Sequence, residues 1–284
     1  MDKARALCEH NSVSRNRLLL SAGVLLGFWV LGAVSAVAAS AATFAGVPVA
    51  PGATVSANVP LSPQEQSYAS EGGNRVPPNA LATLAVPPGF NPSKTWPVLV
   101  VLATSDRSRQ NHEDLTAIYR ETAQAEGWVV LAGDGPQPQP RDTAGWRAGM
   151  TLAALAALHR SFPGSKNWPV AVAGFSGGSK RTGTIAPLLA LAGCRMTGIF
   201  LTGINQDRLS EGYRKFQPGA AFLRTPIFLS SGERDTTATP QHHASVKFTL
   251  ERTGFTRVRL ETFPQGHAVK RDHIRMALRW FRGA

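Results

Sequence analysis

The run WPVLVVLA, residues 96–103, is almost wholly apolar and rich in valine. A strand with one wet face alternates apolar and polar residues, so a continuous apolar run must be covered on both sides. WVVLAGD (128–134), WPVAVAGF (168–175), MTGIFLTGI (196–204) and TPIFLSSG (225–232) share this character, and VRLETF (258–263) follows as a shorter strand. Segments with helical spacing lie between them. HEDLTAIYRETAQAEG (112–127) puts Leu115, Ile118, Tyr119 and Ala123 on one face and stops at Gly127. Helices are also expected over 145–162, over 177–193 with a kink or early end at Pro187, over 240–254 and at 270–281. Buried strands separated by helices of this length need crossover connections. The predicted fold class is α/β, a mostly parallel central sheet with helices on both faces. ALATLAVPPGF (80–90) reads as an edge strand halted by Pro87-Pro88-Gly89.

Ligands of such sheets gather beyond the carboxyl ends of the strands, and three strand ends carry chemistry. The first is Gly174-Phe175-Ser176-Gly177-Gly178, which joins a strand to a helix. A sharp turn there would strain Ser176 and raise its hydroxyl above the sheet, with Gly174 and Gly178 letting the two legs close. The N–H of Gly177, at the helix start, would then face any oxyanion formed on a substrate. The second is SGERDTT, where Asp235, with Glu233 as fallback, can orient and charge-stabilise a histidine. The third is FPQGHAV, where His267 sits in a strand-end loop downstream of that acid. His112, His159, His242, His243 and His273 read as ordinary helix residues, and the adjacent pair 242–243 lacks the i, i+4 spacing of a helical metal site. No metal and no cofactor is expected.

Residues 1–41 form a separate unit. Lys3, Arg5, Arg15 and Arg17 precede an uncharged, mostly apolar run at 18–39 that ends in small residues. This is the pattern of a signal peptide, with an uncleaved membrane anchor as the alternative, since the run is about as long as a bilayer span. Either way the remainder is expected to be secreted or periplasmic, and to meet a membrane only if the run is retained. Residues 42–79, rich in Ala, Pro, Ser and Gly, read as a linker or loosely attached arm, and 80–284 as the catalytic domain. Cys194 is the one cysteine outside the leader, so no internal disulfide is expected and a buried, inert thiol is the reading. The formal net charge is +12, but its arginines and lysines are dispersed and match no nucleic-acid motif. A solvated basic surface is expected, with no nucleic-acid partner; the sequence is silent on oligomeric state.

With Ser176, Asp235 and His267 in that order, the chain resembles the α/β-hydrolase superfamily. It is most similar to secreted esterases of the polyhydroxybutyrate-depolymerase-like and feruloyl-esterase-like kind. AVPPGFNPSKTWPVLVVL, GFSGG, SGERDTTATP and FPQGHAV carry the likeness, which covers about residues 80–284. It implies an ester hydrolase, acting on a small or polymeric ester, with a second oxyanion donor after the strand at 96–103. Relatives place glycine in that turn; here Ala103-Thr104-Ser105-Asp106 has none, so Thr104 or Ser105 would donate. Trp146 and Phe175, near strand ends, are candidate substrate contacts. The insert at 205–224 leaves room for only a small cap. A prolyl-oligopeptidase-like peptidase, a non-catalytic hydrolase-like binding protein and a polyanion binder are the rival readings.

Overall fold

The computed structural model describes residues 42–104, 109–136 and 141–283. A short antiparallel pair, β1 (Thr43–Phe44) and β2 (Val47–Pro48), comes first. β3 (Thr54–Pro60), β4 (Asn79–Ala85), β5 (Val98–Leu102), β6 (Val129–Asp134), β7 (Val170–Phe175), β8 (Met196–Thr202), β9 (Ile227–Gly232) and β10 (Val258–Phe263) form one sheet in the order β10-β9-β8-β7-β5-β6-β4-β3. Every pairing from β10 to β6 is parallel. β4 runs antiparallel to β6, and β3 antiparallel to β4. The expected α/β class, a mostly parallel sheet flanked by helices, is the one observed.

The connecting helices are α1 (Pro63–Ala69), α2 (Asn111–Asp114), α3 (Arg120–Ala125), α4 (Ala144–Ser161), α5 (Gly177–Leu191), α6 (Leu209–Phe216), α7 (Pro240–Thr253) and α8 (Arg271–Arg282), with a π-helical turn at Leu115–Tyr119 linking α2 to α3. The apolar runs are explained by what covers them. Val98, Val100 and Leu102 of β5 join a cluster with Leu158 of α4 and Ile185 and Leu189 of α5. Leu99 and Val101, pointing the other way, join Leu115, Tyr119, Leu278 and Phe281. Each such side chain contributes about 1.5–3 kcal/mol relative to exposure, so neither face of β5 can be left open. Cys194 is a free thiol, largely buried, and burial pushes its pKa up to about 11.

Three expectations need correction. The segment 42–79 is no loose arm. β3 pairs along its whole length with β4, and Phe44, Val59, Leu61 and Ala69 lie in the main core. β4 is consequently an inner strand, because β3 covers the edge assigned to it. Pro187 does not end its helix, since α5 runs on to Leu191. Proline removes the donor to the carbonyl four residues earlier, and that carbonyl, of Gly183, faces Gly212 of the neighbouring α6 at a distance no Cβ would tolerate. The segment 1–41, read as a leader or anchor, lies outside the described residues, among which no helix is long and apolar enough to cross a membrane.

Candidate active site

β5 and β7 are neighbours in the sheet although β6 lies between them in the chain. The connection leaving β5 runs to β6 on one side and the connection leaving β7 runs to β8 on the other, and the crevice at that reversal is where an open α/β sheet receives ligand. Ser176 follows β7 directly, and Thr104 lies two residues beyond β5.

Ser176 has φ 54° and ψ −118° and caps α5. A side chain held there costs about 1–3 kcal/mol, so the surroundings must enforce it. The Ser176 N–H donates to the Thr202 carbonyl at 2.9 Å. The Ser179 hydroxyl lies 2.7 Å from the carbonyl oxygens of both Gly174 and Thr202 and accepts the Thr202 N–H at 2.9 Å. The two legs of the turn touch: a Cβ on Gly174 would lie 2.3 Å from the Gly178 carbonyl carbon, and one on Gly178 only 2.1 Å from the Leu102 oxygen of β5. Both glycines are thus required by contact. Ser176 sits on a strained strand-to-helix turn; the Ser179 N–H already donates to the Ser176 carbonyl at 3.0 Å, while the N–H of Gly177, the first residue of α5, has no helix carbonyl a turn earlier to donate to.

Asp235 and His267 are brought together. Asp235 is buried, and its Oδ1 accepts the N–H groups of Thr237 and Ala238, each at 2.8 Å. Its Oδ2 lies 2.7 Å from His267 Nδ1. Burial alone would raise the Asp235 pKa, but the hydrogen bonds from Ala238, His267 and Thr237 outweigh it and hold the carboxyl below its ordinary value. An ionised carboxylate only accepts, so Nδ1 carries the proton and Nε2 is left as the basic nitrogen. Glu233, the fallback acid, is exposed and meets only the Thr262 hydroxyl at 3.3 Å.

His267 is seated beside the serine turn. Its ring lies 4.8 Å from that of Phe175, centroid to centroid. Gly203, with φ +62°, backs onto both rings: a Cβ there would lie 2.8 Å from His267 Cε1 and 3.0 Å from Phe175 Cε2. Among the described residues no hydrogen bond joins Ser176 Oγ to His267. Such bonds are often long without substrate and tighten in the complex.

The remaining candidates divide. Phe175 is half-buried and, through its contact with His267, borders the site. Trp146 does not line the crevice: it is 1% exposed, part of the main core, and pressed against Gly135. It sits in the first turn of α4, most of whose residues are buried. Thr104 is half-buried at the mouth of β5, while Ser105 and Asp106 lie outside the described residues.

Four residues at this end of the sheet escape sequence reasoning. Ser179 and Thr202 brace the serine turn as described. His243 is fully buried: the Ile204 N–H donates to Nε2 at 3.3 Å, so Nδ1 donates to the Thr239 carbonyl at 3.1 Å. It ties the start of α7 to the loop behind His267. Burial lowers its pKa, against the opposing Thr239 hydrogen bond. Arg147 is 1% exposed and lies behind Thr104. Side chains whose role comes from distant partners leave no local signal. Only the i, i+3 position of Ser179 after Ser176 hints at a brace.

No protein-family model matches the chain, and neither does any curated protein. Solved structures do. Fungal esterases from Rhizomucor miehei match with TM-score 0.56 at 13% identity, over 83% of this chain and 85% of theirs. A ferulic acid esterase matches with TM-score 0.54 at 14% identity, over 81% of this chain and 97% of its own. An α/β serine hydrolase without lid from Xanthomonas campestris matches with TM-score 0.51 at 15% identity, over 84% and 94%. The fold is that of the α/β hydrolases. At these identities the likeness speaks for the fold alone. The chain spans 36% of a matched structure named for a dipeptidyl aminopeptidase IV and 62% of one named a thermostable esterase. In this α/β-hydrolase sheet the insert 205–224 forms α6 and a short 3-10 turn. α6 packs along the middle of α5, at Gly183 and Pro187, in keeping with the small cap expected.

Proposed function

We propose that the protein is an exported serine hydrolase that cleaves carboxylic esters through an acyl-enzyme. The observation that carries this reading is buried Asp235 paired with half-buried His267, 2.7 Å apart, beside a serine held at φ 54°. Ser176 Oγ attacks the ester carbonyl while His267 Nε2 takes its proton. Asp235 holds the imidazole tautomer and stabilises the imidazolium. The N–H of Gly177 and that of Thr104 or Ser105 receive the oxyanion. Collapse breaks the carbonyl–alkoxy bond, and His267 returns the proton to the departing alcohol. Water, deprotonated by His267, then attacks the acyl-serine and releases the acid, regenerating Ser176. Phe175 is the substrate contact retained in this reading, and a small or polymeric ester is the expected substrate. Export rests on the basic and apolar pattern of residues 1–41.

The test is a fluorophosphonate probe on the purified protein, followed by a p-nitrophenyl ester panel. One adduct on the Ser176 peptide is expected, absent in Ser176→Ala and strongly slowed in His267→Ala. Ester turnover should fall on the order of 10⁴-fold or more in either variant. A folded wild-type protein that takes no label would sink the proposal, and faster turnover of amino-acid p-nitroanilides than of esters would replace it with a peptidase.

A further inference from the structure

Relatives of the kind described turn the chain after the strand equivalent to β5 with glycine, and this chain has none there. What it has instead is a buried cation. Arg147 projects from α4 into the carboxyl ends of β5 and β6, and each guanidinium nitrogen is engaged. Nε donates to Asp142 Oδ1 at 2.7 Å, and Nη2 to Asp142 Oδ2 at 3.1 Å. Nη2 also reaches the Thr104 carbonyl at 3.3 Å and the Arg109 carbonyl at 3.4 Å, on either side of residues 105–108. Nη1 donates to Asn111 Oδ1. That same oxygen accepts the Ala103 N–H at 2.8 Å, while Asn111 Nδ2 donates to the Gly133 carbonyl at 2.7 Å. The Asn111 N–H in turn donates to Asp134 Oδ1 at 2.7 Å.

Of the backbone groups this network holds, those of Ala103 and Thr104 leave β5 at the crevice, Gly133 lies next to the end of β6, and Arg109 and Asn111 lead into α2. A buried ion pair is a weak source of stability, because desolvation offsets the attraction. A planar fork of five donors is well suited to fixing several carbonyl and carboxylate oxygens in one arrangement.

We infer that Arg147 is a positioning residue of the hydrolytic site, a guanidinium clamp that holds the glycine-free turn at Ala103–Thr104 in the orientation the developing oxyanion needs. This deepens the proposed function and rests on it. The clamp acts on geometry at the transition state, so its loss lowers kcat more than it raises KM. Lysine cannot replace it. One ammonium can pair with Asp142 or reach the carbonyls, but it cannot span both sets of acceptors.

The experiment compares wild type with Arg147→Lys, Arg147→Met and Asp142→Asn. Each is checked for folding by circular dichroism, and kcat is expressed per serine labelled at saturation by fluorophosphonate. A trifluoromethyl ketone, which forms a tetrahedral oxyanion on the serine, serves as the probe of that geometry. Expected is a kcat loss on the order of 10²-fold in both Arg147 variants, with KM within about twofold. Ketone affinity should weaken in step with kcat/KM across the series, and Asp142→Asn, which loosens one side of the clamp, should fall between them and wild type. Arg147→Lys keeps a cation opposite Asp142, so the comparison stands even if Arg147→Met fails to fold. Labelled, ester-cleaving wild type beside folded variants with unchanged kcat and ketone affinity would overturn the clamp alone. An unlabelled, inactive wild type would overturn both the clamp and the proposed function.

Discussion

At the scale of single residues, Gly178 offers a contest between two effects of known sign. Glycine to alanine inside a helix ordinarily stabilises by up to about 1 kcal/mol. Here the added methyl would lie 2.1 Å from the Leu102 oxygen and 2.7 Å from that of Ala103, both backbone atoms that cannot swing aside. Overpacking of this sort costs about 1–3 kcal/mol, so the contact wins. Gly178→Ala should lower the urea midpoint and depress ester turnover, because the methyl pushes on the turn at Ala103–Thr104. Gly164→Ala, where nothing lies within 4 Å, should leave stability within about 0.5 kcal/mol. Adjacent residues show where sequence reading loses its grip. Trp146 reads as a crevice-lining residue and Arg147 as part of a solvated basic surface, and both are buried. No spacing rule reveals that Arg147 will meet Asp142, Asn111 and two carbonyls, since those partners arrive from three different elements.

At the scale of elements, β3 shows what composition can hide. Its residues belong to a stretch whose proline, alanine and serine content reads as linker. Yet Val55, Ala57 and Val59 alternate with Thr54, Ser56 and Asn58, a faithful half-buried strand. The period of two was legible; the surrounding composition masked it. β5 and β7 were plain because burial on both faces leaves them no polar position to spare. If the 42–60 segment is integral, Phe44→Ala should cost about 3–5 kcal/mol, as for other buried phenylalanines. A loose arm would tolerate the change. A thermal melt of the purified protein distinguishes them, and an unshifted midpoint would return the segment to linker status. Ser176, Asp235 and His267 could be located at strand ends from the sequence, because each lies within four residues of the end of a strand, where the fold leaves little freedom. The oxyanion donors Thr104 or Ser105 rest on less, because the turn after β5 lacks glycine and the contact of the Thr104 carbonyl comes from Arg147 on α4.

At the scale of the whole molecule, acid stability depends on histidines remote from one another. Burial lowers the pKa of His159, His243 and His273 below the ordinary 6.5. The unfolded chain then takes up protons before the folded one, so stability is full above pH 6.5 and drains away as pH falls below it. His112 works the other way: its hydrogen bond to Asp134 raises its pKa above 6.5, so its contribution is present below that value and is lost as pH rises through the raised one. Three against one gives a net fall in urea midpoint between about pH 6.5 and 5. His112→Asn should steepen it. A flat profile over that range would contradict the assignment.

The sheet order has one more consequence, for how the molecule comes into being. The crevice has two walls, one made at the end of β5 and the other at the end of β7, joined by the register that sets Leu102 beside Gly174 and by the close approach of Gly178 to the Leu102 oxygen. Between them in the chain come β6 and α4, which must be made first and must also be in place to supply Arg147. Contacts so distant in sequence form late, after the cost of closing the long intervening loop has been met. The proposed site at this end of the sheet is therefore completed with the pairing of β5 and β7, and a partly assembled chain has one wall and no Arg147 behind Thr104.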